Sequence, residues 1–220
     1  MIPIQNIYYM LSYAFQILNE QGYRNIATEQ FNNTAELMAA ILEKGIANQL
    51  KRGLCKEYIP QTEALSSLRG KIDIAESIKT QSMLRKQLIC TYDEFSVNST
   101  MNQIIKSTVE LLLCSNISKK RKKNLRKLMI YFGEVDFIDL HTVNWNVQYN
   151  RNNQTYRMLI SICYLVVKGL LQTQSDGSKK LMDFLDEQRM CRLYEKFILE
   201  YYRKKFKNQI AANASQIPWQ

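Results

Sequence analysis

Glycine and proline are scarce in this chain, seven and three among 220 residues. That excludes collagen-like repeats, linker-like sequence and turn-dense all-β architectures. Paired cysteines are lacking too: Cys55, Cys90, Cys114, Cys163 and Cys191 stand singly, with no C-x-x-C spacing. With one histidine, His141, a structural zinc site is not expected. Scattered thiols suit a reducing compartment, so the expected location is the cytoplasm. The start, Met-Ile-Pro-Ile-Gln-Asn, has no basic segment and no small-residue cleavage site of a signal peptide. The longest apolar run, 159–171, contains Lys168 and is too short to span a bilayer. It reads as a buried helix, and no membrane partner is expected.

Catalytic motifs are equally sparse. The sequence holds no G-x-x-x-x-G-K-[ST] phosphate loop, no G-x-G-x-x-G, no H-E-x-x-H and no G-x-S-x-G. Acids cluster at Asp93-Glu94, at Asp136 and Asp139, and at Asp183, Asp186 and Glu187. A metal-dependent nuclease needs an Asp followed by D-x-K or E-x-K on the next strand, to hold Mg²⁺ and activate water. Glu195 and Lys196 are adjacent and miss that spacing. No catalytic residue, metal ligand or cofactor of this chain's own is assigned.

What is present is positive charge, helical periodicity and one interruption. Net charge is +10. Residues 117–127, ISKKRKKNLRK, hold seven of the cations and no acid, which leaves 23 basic against 20 acidic residues elsewhere. Lys119, Lys120, Arg121, Lys122, Lys123, Arg126 and Lys127 therefore form either a phosphate-binding patch or a solvated helix face. Lys204, Lys205 and Lys207 are a possible extension of it.

Apolar residues recur at helical spacing over 4–20, 32–53, 100–117, 155–172 and 187–207, and the basic segment makes a further helix to about 132, ended by Gly133. Asn33 or Thr34 and Thr100 are expected N-caps, and Gly53 a left-handed helix end. Leu193, Phe197, Ile198 and Tyr201 are the expected inward face of the last helix. Residues 134–153 read as irregular and 172–180 as a linker. Between 54 and 97 the period changes. Segments near 55–64, 70–76 and 87–97 alternate, with Ser66-Ser67 as a turn and Pro60 confining the first to an edge or a bulge. The expected fold is α+β, mostly helical, with a small β-rich unit between helical segments. Arg69-Gly70-Lys71 stands at the entrance of its second strand.

Four segments in order resemble McrC, a subunit of the McrBC modification-dependent restriction system. IPIQNIYYMLSYAFQIL resembles the family's opening. LRGKIDIAESI is similar to its R-G-[RK]-I-[DE] segment, and NSTMNQIIKSTVELLL to its N-[RQ]-I-I-K-[SA]-T helix. LYEKFILEYYRKKF with Trp219 resembles the start of its nuclease domain. The resemblance implies an N-terminal region over 1–180 that engages a hexameric AAA+ partner, McrB, which hydrolyses GTP with Mg²⁺. It implies a β-finger entering the ring and stimulation of the GTPase. It also implies a PD-(D/E)XK domain, here only its opening helix over 181–220, that cleaves near methylated cytosines. The family continues past the Trp into the catalytic strands, whereas this sequence stops at Gln220. The expectation is a chain without nuclease activity of its own, with Glu195 on the helix where some such nucleases place an additional acid.

On this resemblance Arg69, Gly70 and Lys71 lie on the finger and serve partner GTPase stimulation, the two cations near the nucleotide and Gly70 turning the backbone. The alternative is that Arg69 and Lys71 only hold the finger's own acids, Asp73 and Glu76. For the whole chain the alternative is a basic helical nucleic-acid-binding module, with DNA rather than a AAA+ GTPase as partner.

Overall fold

The structure, a computed structural model, describes residues 4–15, 18, 23, 26, 29–150, 153, 155–176, 187–207 and 209–213; within α6 and α7 below, only the side chains of 156–169 and 194–205 are described. Seven of the described elements build a helical body: α1 (Ile4–Ala14), α2 (Thr34–Arg52), α4 (Thr100–Cys114), α5 (Lys119–Met129) with a 3₁₀ turn (Ile130–Phe132), α6 (Tyr156–Asp176) and α7 (Glu187–Lys205), with irregular chain over 134–150 and after α7 at 206–207 and 209–213. Between α2 and α4 stand β1 (Glu57–Leu65), β2 (Lys71–Asp73), the short α3 (Ile74–Lys79), a 3₁₀ turn (Ser82–Arg85) and β3 (Leu88–Ser96).

The body's core is one apolar cluster. Leu37, Ile41, Leu42 and Ile46 of α2 meet Ile104, Ile105, Val109 and Leu112 of α4 and Leu159, Ile162 and Val166 of α6. These are helical i, i+4 positions on each element, and each fully buried side chain contributes about 1.5–3 kcal/mol. Asn33, in extended conformation, caps α2 by accepting from the Glu36 amide at 2.8 Å. Ile7 and Leu11 of α1 join the same core. The outer face of α1 is aromatic. Tyr9 and Tyr13 interlock with Phe197 of α7, and Tyr13 also meets Tyr201. The Lys196 ammonium lies 4.3 Å from the centre of the Phe15 ring.

Several boundaries differ from the periodicity. The first helix ends at Ala14, not near 20. Ser99 rather than Thr100 caps α4, because its hydroxyl accepts the Asn102 amide. Gly53 has φ +93° and ψ 151°, so it ends α2 in a glycine-favoured region other than the left-handed helical one. The basic helix, with the 3₁₀ turn that continues it, does end at Phe132 before Gly133, as expected. α6 runs through 172–176, so the first part of the expected linker is helical. Residues 177–180, the boundary at 180, Asp183, Asp186 and Trp219 lie outside the described residues, as do the side chains of Cys191 and Leu193.

Candidate functional site

The β-unit is a finger. β1 and β3 pair antiparallel from Glu57↔Ser96 to Leu65↔Leu88 with no bulge. The chain between them folds back, so that β2 adds to the other side of β3 and the order is β1-β3-β2. Pro60 therefore lies on an edge strand, as expected of a residue without an N–H. Nine residues of strand at about 3.3 Å each give a length of roughly 30 Å. Over 57–96 only Ser77, Ser82 and Cys90 are buried, so the finger has almost no core. Its stability is local. Ser77 Oγ donates to Asp73 O at 2.6 Å and accepts the Ile89 amide at 2.7 Å, and the Thr62 and Thr91 hydroxyls meet at 3.1 Å. The second strand is shorter than its alternating pattern suggests. Asp73 accepts the Glu76 amide at 3.0 Å and starts α3, which turns Ile74 out of the strand.

Arg69 stacks its guanidinium 4.4 Å from the centre of the Tyr92 ring. Tyr92 is steadied in turn by a hydrogen bond to Glu63 at 3.4 Å. Gly70 follows at φ +69° and passes so close to β3 that a Cβ there would stand 2.3 Å from Thr91 O and 2.7 Å from Tyr92 Cβ. Lys71 opens β2, exposed and without an ion pair to a described residue. The two acids nearest in sequence are engaged elsewhere: Asp73 caps α3 and Glu76 pairs with Lys79 at 3.4 Å. The arrangement presents one stacked guanidinium and one free ammonium, with spare donors on each.

The far end of the finger carries exposed apolar side chains that the sequence reading did not single out. Leu68, Ile74, Ile78, Met83 and Leu84 are all exposed, Leu84 at 81%. Ile74 and Ile78, four apart on α3, share a face. Their pattern in sequence is that of ordinary half-buried positions. What sets them apart is the missing core beneath them, which leaves them exposed.

The basic helix divides into two parts. Arg121 turns inward to Glu43 and Glu29, each at 2.8 Å, and to Glu36 at 3.5 Å. Glu36 also accepts the Ser118 amide and hydroxyl at 2.7 Å, and Glu43 accepts from Asn124 at 2.9 Å. Arg121 therefore locks α5 onto α2 and is withdrawn from the nucleic-acid set. Its position four residues before the buried Leu125 and seven before Leu128 is the feature in the sequence that marks the inward face. Lys119, Lys120, Lys123, Arg126 and Lys127 are exposed, Lys122 is half-buried, and none of the six pairs with a described acid.

Elsewhere, Asp136 pairs with Asn98 and Asp139 caps the turn that holds His141, so these acids serve loops. Among the described residues no group of three or more His, Cys, Asp or Glu could hold a metal ion. Among them, too, no helix is long and apolar enough to cross a membrane.

The described residues thus form a helical body and a finger with almost no core, cationic on its flank and with exposed apolar side chains at its end. The family model described as McrBC 5-methylcytosine restriction system component matches residues 5–217. The type IV methyl-directed restriction enzyme EcoKMcrBC of Escherichia coli K12 is 30% identical over 213 residues, 93% of this chain and 60% of that protein. The Thermococcus gammatolerans McrBC complex has a similar chain at TM-score 0.63 and 21% identity, covering 93% of this chain and 59% of that one. A half-complex of McrB AAA+ hexamers with bound McrC, from the same organism, matches at TM-score 0.57 and 17% identity, over 92% of this chain and 48% of that one. This chain belongs to the McrBC 5-methylcytosine restriction system component family. It spans about 60% of the length of the curated relative it matches.

Proposed function

We propose that this chain is the McrC-like subunit of an McrBC-type restriction system, that its finger engages a hexameric AAA+ GTPase, and that this contact raises GTP turnover. The observation that carries the reading is the finger itself, a projecting sheet with a stacked Arg69 and a free Lys71 whose nearest acids are occupied. Stacking on Tyr92 restricts the Arg69 rotamers, so less freedom is lost when its donors meet a partner's polar groups. The exposed apolar residues at the end of the finger supply area for association. GTP and Mg²⁺ belong to the partner, methylated DNA is reached mainly through it, and the system works in the cytoplasm.

The test is GTP turnover by the cognate AAA+ protein with this chain at saturation. Arg69→Ala lowers the stimulated rate, and Arg69→Lys recovers part of it, since an ammonium lacks the planar fork of donors. An indirect, positioning role is worth much less than the roughly 10³–10⁵ of a direct arginine finger, and the smaller effect is the expected one. Stability changes by at most about 0.5–1 kcal/mol, the value of one exposed cation–π contact. Full stimulation by the Arg69→Ala, Lys71→Ala double variant would remove the two cations from the mechanism.

A second activity has its own observation, the exposed unpaired cations of α5. We infer a weak, sequence-independent contact of this helix with DNA phosphates. If about four phosphates are neutralised, log affinity falls with log salt at a slope of roughly −3 to −4. A quadruple Ala variant at Lys119, Lys120, Lys122 and Lys123 flattens that slope. A salt-independent affinity, or unchanged binding by the variant, would return α5 to the status of a solvated face.

A further inference from the structure

The two strands that carry the finger leave the body through a buried polar knot. Asn102, in the first turn of α4, is fully buried. Its side-chain amide donates to Cys55 O at 2.8 Å and to Val97 O at 2.7 Å. Its Oδ1 accepts from the Tyr156 hydroxyl of α6 at 2.7 Å, and that same hydroxyl accepts the Cys55 amide at 2.8 Å. Cys55 lies two residues before β1, and Val97 directly follows β3. One Asn and one Tyr thus hold both roots of the finger. On the entering side Gln49 adds a bond to Gly53 O at 2.8 Å and is held by Thr155 at 2.7 Å. On the leaving side Gln103 donates to Asn98 Oδ1 at 2.9 Å.

The partners in this knot are matched one for one. Both Asn102 donors and its acceptor are used, and the Tyr156 hydroxyl both gives and receives. Burial pushes the Tyr156 phenol above its ordinary pKa, so it stays neutral and keeps that donor through the physiological range. Apolar packing at this place would bury the strand roots but would not fix their direction, because such contacts have no angular preference. Hydrogen bonds have one. A buried network with every member satisfied is rigid.

We propose that Asn102 and Tyr156 are positioning residues that set the angle of the finger on the helical body, and through it the place of Arg69. The inference rests on the reading that the finger acts on a partner. Tyr92, on which Arg69 stacks, lies five residues from Val97, or about 17 Å along the strand. A root that yields by 10° carries the guanidinium about 3 Å sideways over that distance. A misplacement of about 1 Å can cost on the order of 10²-fold in a positioned reaction. Loosening the knot should therefore leave association largely intact and weaken what association achieves.

The test uses the full chain. Spin labels are carried on unnatural residues at Arg85, at the far end of the finger, and at Lys127 on α5, so that the native cysteines remain. The electron–electron distance distribution is compared among the parent, Tyr156→Phe and Asn102→Ala, with hydrogen exchange measured on the same proteins. Tyr156→Phe is the milder change and keeps the test informative where Asn102→Ala unfolds. The expected result is a distribution about twofold broader in Tyr156→Phe, with unchanged protection of the β1–β3 ladder and of α2 and α4. With the cognate partner, the stimulated rate at saturation falls about tenfold, while the half-saturating concentration changes less than threefold. An unchanged distribution overturns the proposal, as does a joint loss of protection in finger and body, which would make the knot a general stabiliser. Failure of the parent chain to stimulate any partner would overturn the proposed function and leave the distance measurement to decide the knot.

Discussion

Gly70→Ala unzips β2 from β3 and leaves the helical body folded. Two effects add. An L-residue in the left-handed region at φ +69° costs about 1–2 kcal/mol. The new methyl would also stand 2.3 Å from a backbone oxygen and 2.7 Å from a Cβ, neither of which is the flexible end of a side chain. The strand must move away, and β2 holds only the pairs from Lys71↔Thr91 to Asp73↔Ile89. The expected readout is faster hydrogen exchange on both sides of that pairing, by roughly tenfold for each 1.4 kcal/mol lost. Thermal unfolding of the body shifts little, because the finger buries only three residues over 57–96. Gly70→Asn separates the two causes. Asn tolerates a left-handed backbone but carries the same Cβ, so the crowding predicts that it fares no better than Ala. Since Arg69 is carried by the same turn, stimulation of a partner GTPase falls in both variants.

Arg121→Ala lowers the stability of the body by about 3 kcal/mol, the scale for breaking a largely buried ion-pair network. The guanidinium is 16% exposed, and Glu36 and Glu43 are similarly enclosed at 14% and 21%. Removing it leaves both carboxylates without their counter-charge. Glu29, at 43%, is better solvated and contributes least. For a chain of this size the loss corresponds to about 6–12 °C in Tm. Arg121→Lys recovers little, because one ammonium cannot supply the forked contacts to Glu43 and Glu29. Lys120→Ala, one residue away on the exposed side, stays within about 0.5 kcal/mol. The salt dependence of DNA binding reverses the order of importance. It responds to the lysines and is unchanged by Arg121→Ala, measured below the variant's lowered Tm.

The contrast between neighbours in one basic run shows what was legible in the sequence. Composition marked residues 117–127 as a patch, and helical spacing marked the helix. The direction of Arg121 depends on three glutamates 78 to 92 residues away, and local periodicity carries only the hint of Leu125 and Leu128. The finger was legible for a similar reason: its period of two breaks the helical pattern at Gly53 and again at the start of α4. Its second strand was over-read because Asp73 alternates correctly yet also caps a helix, and the cap prevails. The knot was not legible at all. Asn102 and Tyr156 are 54 residues apart, each in a segment whose apolar pattern explains itself without them. Exposure of Ile74, Ile78 and Leu84 was hidden likewise, since periodicity records which residues are apolar and not whether anything covers them.

In the function proposed above, the finger is the element that acts on a AAA+ GTPase. The most direct measurement replaces residues 66–87 by Asn-Gly. That two-residue turn suits a hairpin and closes β1 on β3 at the Leu65↔Leu88 pair, while the body and the finger's roots are untouched. GTP turnover by the cognate hexamer is then measured with the parent or the shortened chain at saturation. The expected result is stimulation by the parent and turnover near the partner's basal rate with the shortened chain, whose helical content matches that of the parent body. Full stimulation by the shortened chain would remove residues 66–87, Arg69 and Lys71 among them, from the mechanism and leave the β1–β3 ladder or the helical body as the active surface.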